Sequence, residues 1–299
     1  MLYSITNGTL SLKASSRGAE MYSLMKDGKE YLWTADPEYW PEHAPVLFPF
    51  IGRERNGEYR TGGRTYSMPI HGFAKNMDFE PEEISGDELR FTIRDTETTR
   101  EVYPFPFLFT VAYRLEGNTV KVSFIVKNSG DSELYFMAGG HPGFLCPPPS
   151  HPGSPRSACG ISFLREGKPL DAVYSTPITA EGLAASKEKE PYVFVQKDGR
   201  IIPEADLFAN DALITENWDC DEVDLLDPDG RPYIRVSFDA PLVGVWSVAG
   251  REAPYICIEP WWGRCDREDF AGELKDREWE QALAPGKTAV YSFAINIPD

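Results

Sequence analysis

The sequence predicts an all-β chain, a large antiparallel β-sandwich with few short helices, on three observations. Apolar residues recur with a period of two along most of the chain. Turn-forming residues separate these alternating runs. Aromatic residues reach 13%, which suits a β-rich core. The 25 glycines and 25 prolines are spread along the 299 residues. No repeat, low-complexity block or composition shift divides the chain, so residues 1–299 are expected to form one sandwich domain, with a second layer of strands curled against the first.

The elements follow in order. "TNGT" at 6–9 is a tight turn between two short strands. "PEYW" after Asp36 starts a single turn. "LRFTIRD" sets Leu89, Phe91 and Ile93 on one face and Arg90, Thr92 and Arg94 on the other. "FLFTVAYRL" alternates Phe107, Phe109, Val111, Tyr113 and Leu115; "EGN" then reverses the chain, and Val120, Val122, Phe124 and Val126 align in turn. That pattern is a β-hairpin. "DPDGRP" (227–232) separates "VDLL" from "YIRVSFDA", and "AVYSFAINI" closes the chain as a strand. "DREWEQAL" (276–283) reads equally as a short helix or a loop. "LCPPPSHPGSPRSA" (145–158) is the most irregular stretch and reads as a surface loop.

Composition excludes several classes of function. Hydrophobic residues at 41% and charged residues at 26% describe a folded chain, not a disordered one. A formal net charge of -17 opposes nucleic acid and anionic membrane as partners. The N-terminus "MLYSITNGTLSLKASS" lacks the basic and apolar regions of a signal peptide, and no apolar run reaches membrane-spanning length. The five cysteines (146, 159, 220, 257, 265) are odd in number and show no metal-ligand spacing. A cytoplasmic protein with reduced, buried thiols is the expectation, as monomer or homodimer.

Among the four histidines, His141 stands in "AGGHPGF", between two glycines and Pro142. Glycine permits a sharp turn or a close approach, and proline stiffens the exit. The ring is therefore aimed, either at a backbone carbonyl or at chemistry. His71, in "MPIHGFAKNMDF", also precedes a glycine. Two such histidines suggest a shared site, because imidazole exchanges protons near neutral pH. His43 and His151 lie in proline-rich loops and read as surface residues. Glu259 in "PYICIEPWWGRCD" shares a strand face with Tyr255 and Cys257, and Pro260 after it suggests a strand end facing a cleft or a salt bridge. One of Trp261 and Trp262, but not both, is expected to face that cleft, where an indole can stack on the C–H face of a sugar. Arg53 closes the apolar "PVLFPFIG" and could fork hydrogen bonds onto ligand hydroxyls or simply be solvated.

Taken together, "GAEMYSLMKDGKEYLW", "PVLFPFIGR", "MPIHGFAKNMDFE", "GGHPGF", "NDALI", "GVWS" and "ICIEPWWGRCDREDF" resemble, in this order, the aldose 1-epimerase (galactose mutarotase) family, and within it the LacX-like branch. The resemblance implies a galactose mutarotase-like supersandwich and an isomerase of carbohydrate metabolism that needs no metal or cofactor. It implies His141 as the acid at the ring oxygen and Glu259 as the base at the anomeric hydroxyl. Arg53, His71, Asp211 and Trp261 would bind the sugar. The galactose enzymes carry a histidine after that aspartate, where this chain has Ala212, and a longer sequence around the first histidine, where it has "IHGF". The resemblance thus implies an aldose without naming galactose.

Two other functions fit the same residues. A hexose-6-phosphate mutarotase would need a cationic pocket, for which Arg53, Arg55, Lys75 and Arg264 are the candidates. A carbohydrate-binding or sensor protein would keep the fold without turnover; the presence of both acid and base argues against it.

Overall fold

The computed structural model describes the backbone of residues 1–299 and every side chain except those of residues 83 and 84. The predicted hairpin is its spine. Strands Phe107–Glu116 and Thr119–Asn128 pair antiparallel, with Val111 opposite Phe124. The closing strand Thr288–Asn296 joins Thr119–Asn128, and Pro232–Phe238 and Glu222–Leu226 extend that side; Glu88–Arg94 flanks the other. The result is a nine-stranded antiparallel sheet. Leu89, Phe91 and Ile93 are buried and Arg90 and Arg94 exposed, as alternation requires. Thr92 is the exception: it is buried, with its hydroxyl 2.6 Å from that of Thr110 on the next strand.

A six-stranded sheet carries the rest of the argument. Leu213–Thr215, Leu242–Trp246 and Tyr255–Trp262 pair in sequence. Two short pieces, Ala138–Gly140 and Gly143–Leu145, both pair with the far side of Tyr255–Trp262, and Val46–Leu47 forms the edge beyond the first. This sheet packs on the nine-stranded one through aromatic side chains. Phe48, just after Val46–Leu47, stacks on Phe109 at 4.2 Å between ring centroids, nearly parallel, and Phe124 and Phe293, 6.0 Å apart within the nine-stranded sheet, lie against Gly140 of the six-stranded one. Each such ring, fully buried, contributes about 1.5–3 kcal/mol relative to exposure. A smaller four-stranded sheet, Leu2–Thr6 to Lys29–Glu30, holds the "TNGT" turn.

The structure adds to or alters the sequence reading at four places. The 276–283 stretch is not helical: a 3-10 turn at Leu274–Asp276 leads to strand Gln281–Leu283, and Trp279 between them has φ 64°, outside the right-handed helical region. The α-helix Glu97–Val102 shows no apolar period; it is started by Thr96 and Thr99, which cap each other's backbone N–H. The 145–158 stretch is irregular but anchored. Cys146 is buried, and the buried Arg156 donates five hydrogen bonds, to the carbonyls of Pro203, Glu204, Arg251 and Ala253 and to the hydroxyl of Ser247. His43 and His151 are half-buried rather than surface residues. His43 stacks on Tyr22, and His151 faces Asp227 and Asp229. All five cysteines are buried free thiols. Among the described residues, no helix is long and apolar enough to cross a membrane.

Candidate active site

Strand Tyr255–Trp262 runs through the centre of the site. Its even residues Ile256, Ile258 and Trp262 enter the main core, while Tyr255, Cys257, Glu259 and Trp261 share the opposite face. Pro260 does not end the strand, so Glu259 is a mid-strand carboxylate with no strand end beside it. The neighbouring strand breaks at His141 and Pro142 and then resumes. Gly139 pairs with Trp261 before the break and Gly143 with Cys257 after it. Carried across the break, that register sets His141 opposite Glu259. On the other side of Glu259 lies Gly244.

The glycines before His141 serve close packing, not turning. A Cβ on Gly139 would lie 2.8 Å from the Trp261 ring, and one on Gly140 would lie 2.9 Å from Phe293. The His141 N–H donates to the Pro45 carbonyl at 3.0 Å. Its ring is enclosed by Trp40, Trp246 and His71, with centroids at 4.9, 5.7 and 5.7 Å. The Nε2 of His141 lies 3.2 Å from the Oε2 of Glu259. Glu259 Oε2, His141 Nδ1 and Trp261 Nε1 are buried and have no hydrogen-bond partner among the described residues.

His71 arrives from a turn. It and Gly72 have φ of 66° and 72°. A Cβ on Gly72 would sit 2.3 Å from the Phe48 carbonyl oxygen, so only glycine fits. The Gly52 N–H donates to His71 Nδ1 at 3.1 Å. That bond assigns the proton of the neutral ring to Nε2. The turn reading and the site reading of this histidine therefore both hold in geometry.

Burial governs the protonation states. It pulls His71 down to about 3, with Lys75 and Arg53 adding to the effect. It holds His141 well below its ordinary value, with His71 contributing, and pushes Glu259 well above the carboxylate range, with Asp211 contributing. Imidazole with carboxylic acid and imidazolium with carboxylate contain the same number of protons and the same net charge. The two forms differ only in which group holds the proton, and 3.2 Å separates the two atoms.

A cavity of about 650 Å³ opens over this pair. All six residues singled out in the sequence, Arg53, His71, His141, Asp211, Glu259 and Trp261, line it. Trp262 does not; it packs in the core against Tyr291. Asp211 has φ 75° and accepts the N–H of Ala212. Arg53 is exposed at the rim, beside Gly182. The walls also include Trp40, Glu42, Phe208 and Trp246, which the sequence did not single out one by one. "GVWS" held the only signal for Trp246: alternation sets it on the face of Gly244.

Of the four cations considered for a phosphate, only Arg53 reaches the cavity. Lys75 pairs with Glu42 at 2.8 Å, Arg264 is buried against Glu216 and Glu278, and Arg55 donates to the Phe270 carbonyl. A dianion would therefore find Arg53 as the single one of these four cations on walls that also carry Glu42, Asp211 and Glu259.

Comparison with known proteins bears on what such a cavity is for. The sequence profile described as aldose 1-epimerase matches residues 1–289. The chain belongs to the aldose 1-epimerase family. Within it the chain falls in the LacX-like branch: the chromosomal protein LacX of Lactococcus lactis is 29% identical over 305 residues, covering 99% of both chains. The galactose mutarotase related enzyme of Lactobacillus acidophilus is 35% identical, with a TM-score of 0.91 over 100% of this chain and 98% of its own. A galactose mutarotase-like protein of Lactobacillus casei is 25% identical, with a TM-score of 0.86 over the whole of both chains. The fold of this aldose 1-epimerase family member is accordingly galactose mutarotase-like, as the sequence predicted.

Proposed function

We propose that the chain is a mutarotase that interconverts the α and β anomers of a neutral aldose by general acid/base opening of the ring. The observation that carries this reading is the His141–Glu259 contact of 3.2 Å beneath an open cavity. The ring oxygen and the anomeric hydroxyl are bonded to the same carbon. An acid and a base that serve them must therefore sit side by side, as these two groups do.

In the reaction, His141 as imidazolium donates its proton to the ring oxygen while Glu259 as carboxylate takes the anomeric hydroxyl proton. The C1–O5 bond breaks and the aldehyde forms. Rotation about C1–C2 turns the other carbonyl face to the ring oxygen, and the same two groups run in reverse on closure. The open-chain stage leaves imidazole and carboxylic acid, the uncharged form that burial favours in the empty site. Binding must therefore move the shared proton from Glu259 to His141, and sugar hydroxyls that hydrogen-bond the charged forms supply the means. The Nε2–H of His71 and the guanidinium of Arg53 donate to sugar hydroxyls, Asp211 accepts from one, and Trp261 lies under the C–H face of the ring. A neutral sugar fits better than a phosphorylated one, because of the four candidate cations Arg53 alone reaches the cavity and the others are engaged elsewhere.

A polarimetric or coupled-enzyme screen over neutral aldoses and their 6-phosphates tests the reading. Catalysed mutarotation of at least one neutral aldose above the buffer rate is expected. Turnover of a 6-phosphate alone would move the assignment to a hexose-6-phosphate mutarotase, and no turnover with measurable sugar binding would make the chain a binding protein.

A further inference from the structure

Cys257 has no part in ring opening, yet it stands two residues before Glu259 on the same strand face. A ring nitrogen of His141, the Sγ of Cys257 and a carboxylate oxygen of Glu259 all lie within 4.8 Å of one another. Imidazole, thiol and carboxylate are the donor types that bind zinc and its chemical relatives, with metal–ligand distances of about 2.0–2.3 Å. Three donors at the corners of a tetrahedron of that size need only a small inward movement from the present spacing.

Two features point to a ligand rather than to packing. Glu259 Oε2 and His141 Nδ1 are buried and have no hydrogen-bond partner among the described residues, and their residues are 1% and 9% exposed. An unsatisfied buried polar atom is costly, and a cation would satisfy it. The donor set also balances charge. A thiolate and a carboxylate carry two negative charges, so one divalent cation leaves a neutral cluster in an interior that opposes isolated charge. On binding, the thiol proton and the carboxylic proton of Glu259 both leave to solvent, metal–sulfur and metal–oxygen bonds form, and no electron is transferred. His141 and Glu259 line the cavity while Cys257 is fully buried, so a water or a sugar hydroxyl can complete the coordination from the side of those two residues.

We infer that His141, Cys257 and Glu259 form an inhibitory site for a thiophilic divalent cation of the zinc type. Zinc there occupies the acid and the base together and silences turnover. The mode of inhibition rests on the proposed function; the binding site does not.

The test uses the sugar-free full chain after chelation, with Co2+ as an optical probe and Zn2+ by calorimetry. Wild type is expected to bind one Co2+ with a thiolate-to-cobalt charge-transfer band, and Zn2+ to displace it. Cys257→Ser should abolish the band and weaken Zn2+ by at least about a hundredfold, since even outer-shell changes cost up to that factor. Cys220→Ser, remote from the cavity, should keep both signals. Glu259→Gln should weaken Zn2+ while retaining a thiolate signal, which guards against a Cys257 variant that fails to fold. No band in wild type, or a band that survives Cys257→Ser, overturns the site. Mutarotation by the chelated protein is measured separately: activity that zinc does not inhibit despite binding overturns the inhibitory role, and absence of activity bears only on the function.

Discussion

His141 and Glu259 face each other across paired strands, 3.2 Å apart, although 118 positions separate them in the chain. Gly139–Trp261 and Gly143–Cys257 pairing on either side of the break sets that separation through the backbone. The contact therefore survives conservative changes in either side chain, which makes those changes informative.

Glu259→Gln keeps shape and removes the base. Its kcat is expected to fall by about two to four orders of magnitude, the usual worth of a positioned general base, with sugar affinity little changed. His141→Asn should act alike, and the double variant should be hardly worse than either single one, because the two groups share one proton. Steady-state kinetics with calorimetric sugar binding checks this. Near-normal turnover in Glu259→Gln with lowered stability would reassign Glu259 to structure.

The pH profile should lack the inflections of the free side chains. Burial moves Glu259 up from 4.5 and His141 down from 6.5, and each shift favours the uncharged pair over the ion pair. A kcat/KM without an inflection at either ordinary value is expected. An inflection at an ordinary histidine value would show that the two groups titrate independently.

The adjacent tryptophans should separate cleanly. Trp261 lines the cavity and Trp262 the core. Trp261→Ala should weaken sugar binding more than stability. Trp262→Ala should destabilise by about 3–5 kcal/mol, as for other large buried aromatics, and leave affinity in the folded protein nearly unchanged. Denaturant melts beside binding curves decide it.

Stability should fall toward alkaline pH through a buried cluster behind Arg53. Arg277 meets Asp266 at 2.7 Å and also faces Glu280 and Glu54, so one cation serves three carboxylates. Burial raises both Glu54 and Glu280 from 4.5 to about 8. Raised values give stability that is complete below 4.5 and lost as pH climbs to about 8. The loss of urea midpoint between pH 5.5 and 8.5 should be smaller in Glu54→Gln/Glu280→Gln than in wild type. An equal loss in both would place the titration elsewhere.

The strands were legible because half-buried strands alternate, and the hairpin at 107–128 needed nothing more. Anchors within loops were not. Arg156 looks solvated in "GSPRSA", and only the fold supplies its carbonyl partners. Side-chain identity pointed to five of the six cavity residues and the family resemblance to Asp211, but neither pointed to the register that opposes His141 and Glu259, since strand pairing over such a span leaves no local signal. Nor did it give the reason for Gly139 and Gly140, which depends on rings brought in by two other strands. Trp40 and Trp246 read as ordinary aromatics until His141 is found between them.

Arg156 also sets how the cavity wall behaves when other contacts weaken. Its five acceptors are four carbonyls and a hydroxyl, none of which titrates, and its guanidinium lies 5.6 Å from the ring of Phe208, a wall residue. Alkaline pH charges Glu54 and Glu280 beside Arg277 but has nothing to act on here. Salt finds no exposed countercharge to screen. The 145–158 segment and the wall it supports are therefore fastened by a joint indifferent to both, and at alkaline pH this protein should loosen on the Arg53 side of the cavity first while the Phe208 side still holds its shape.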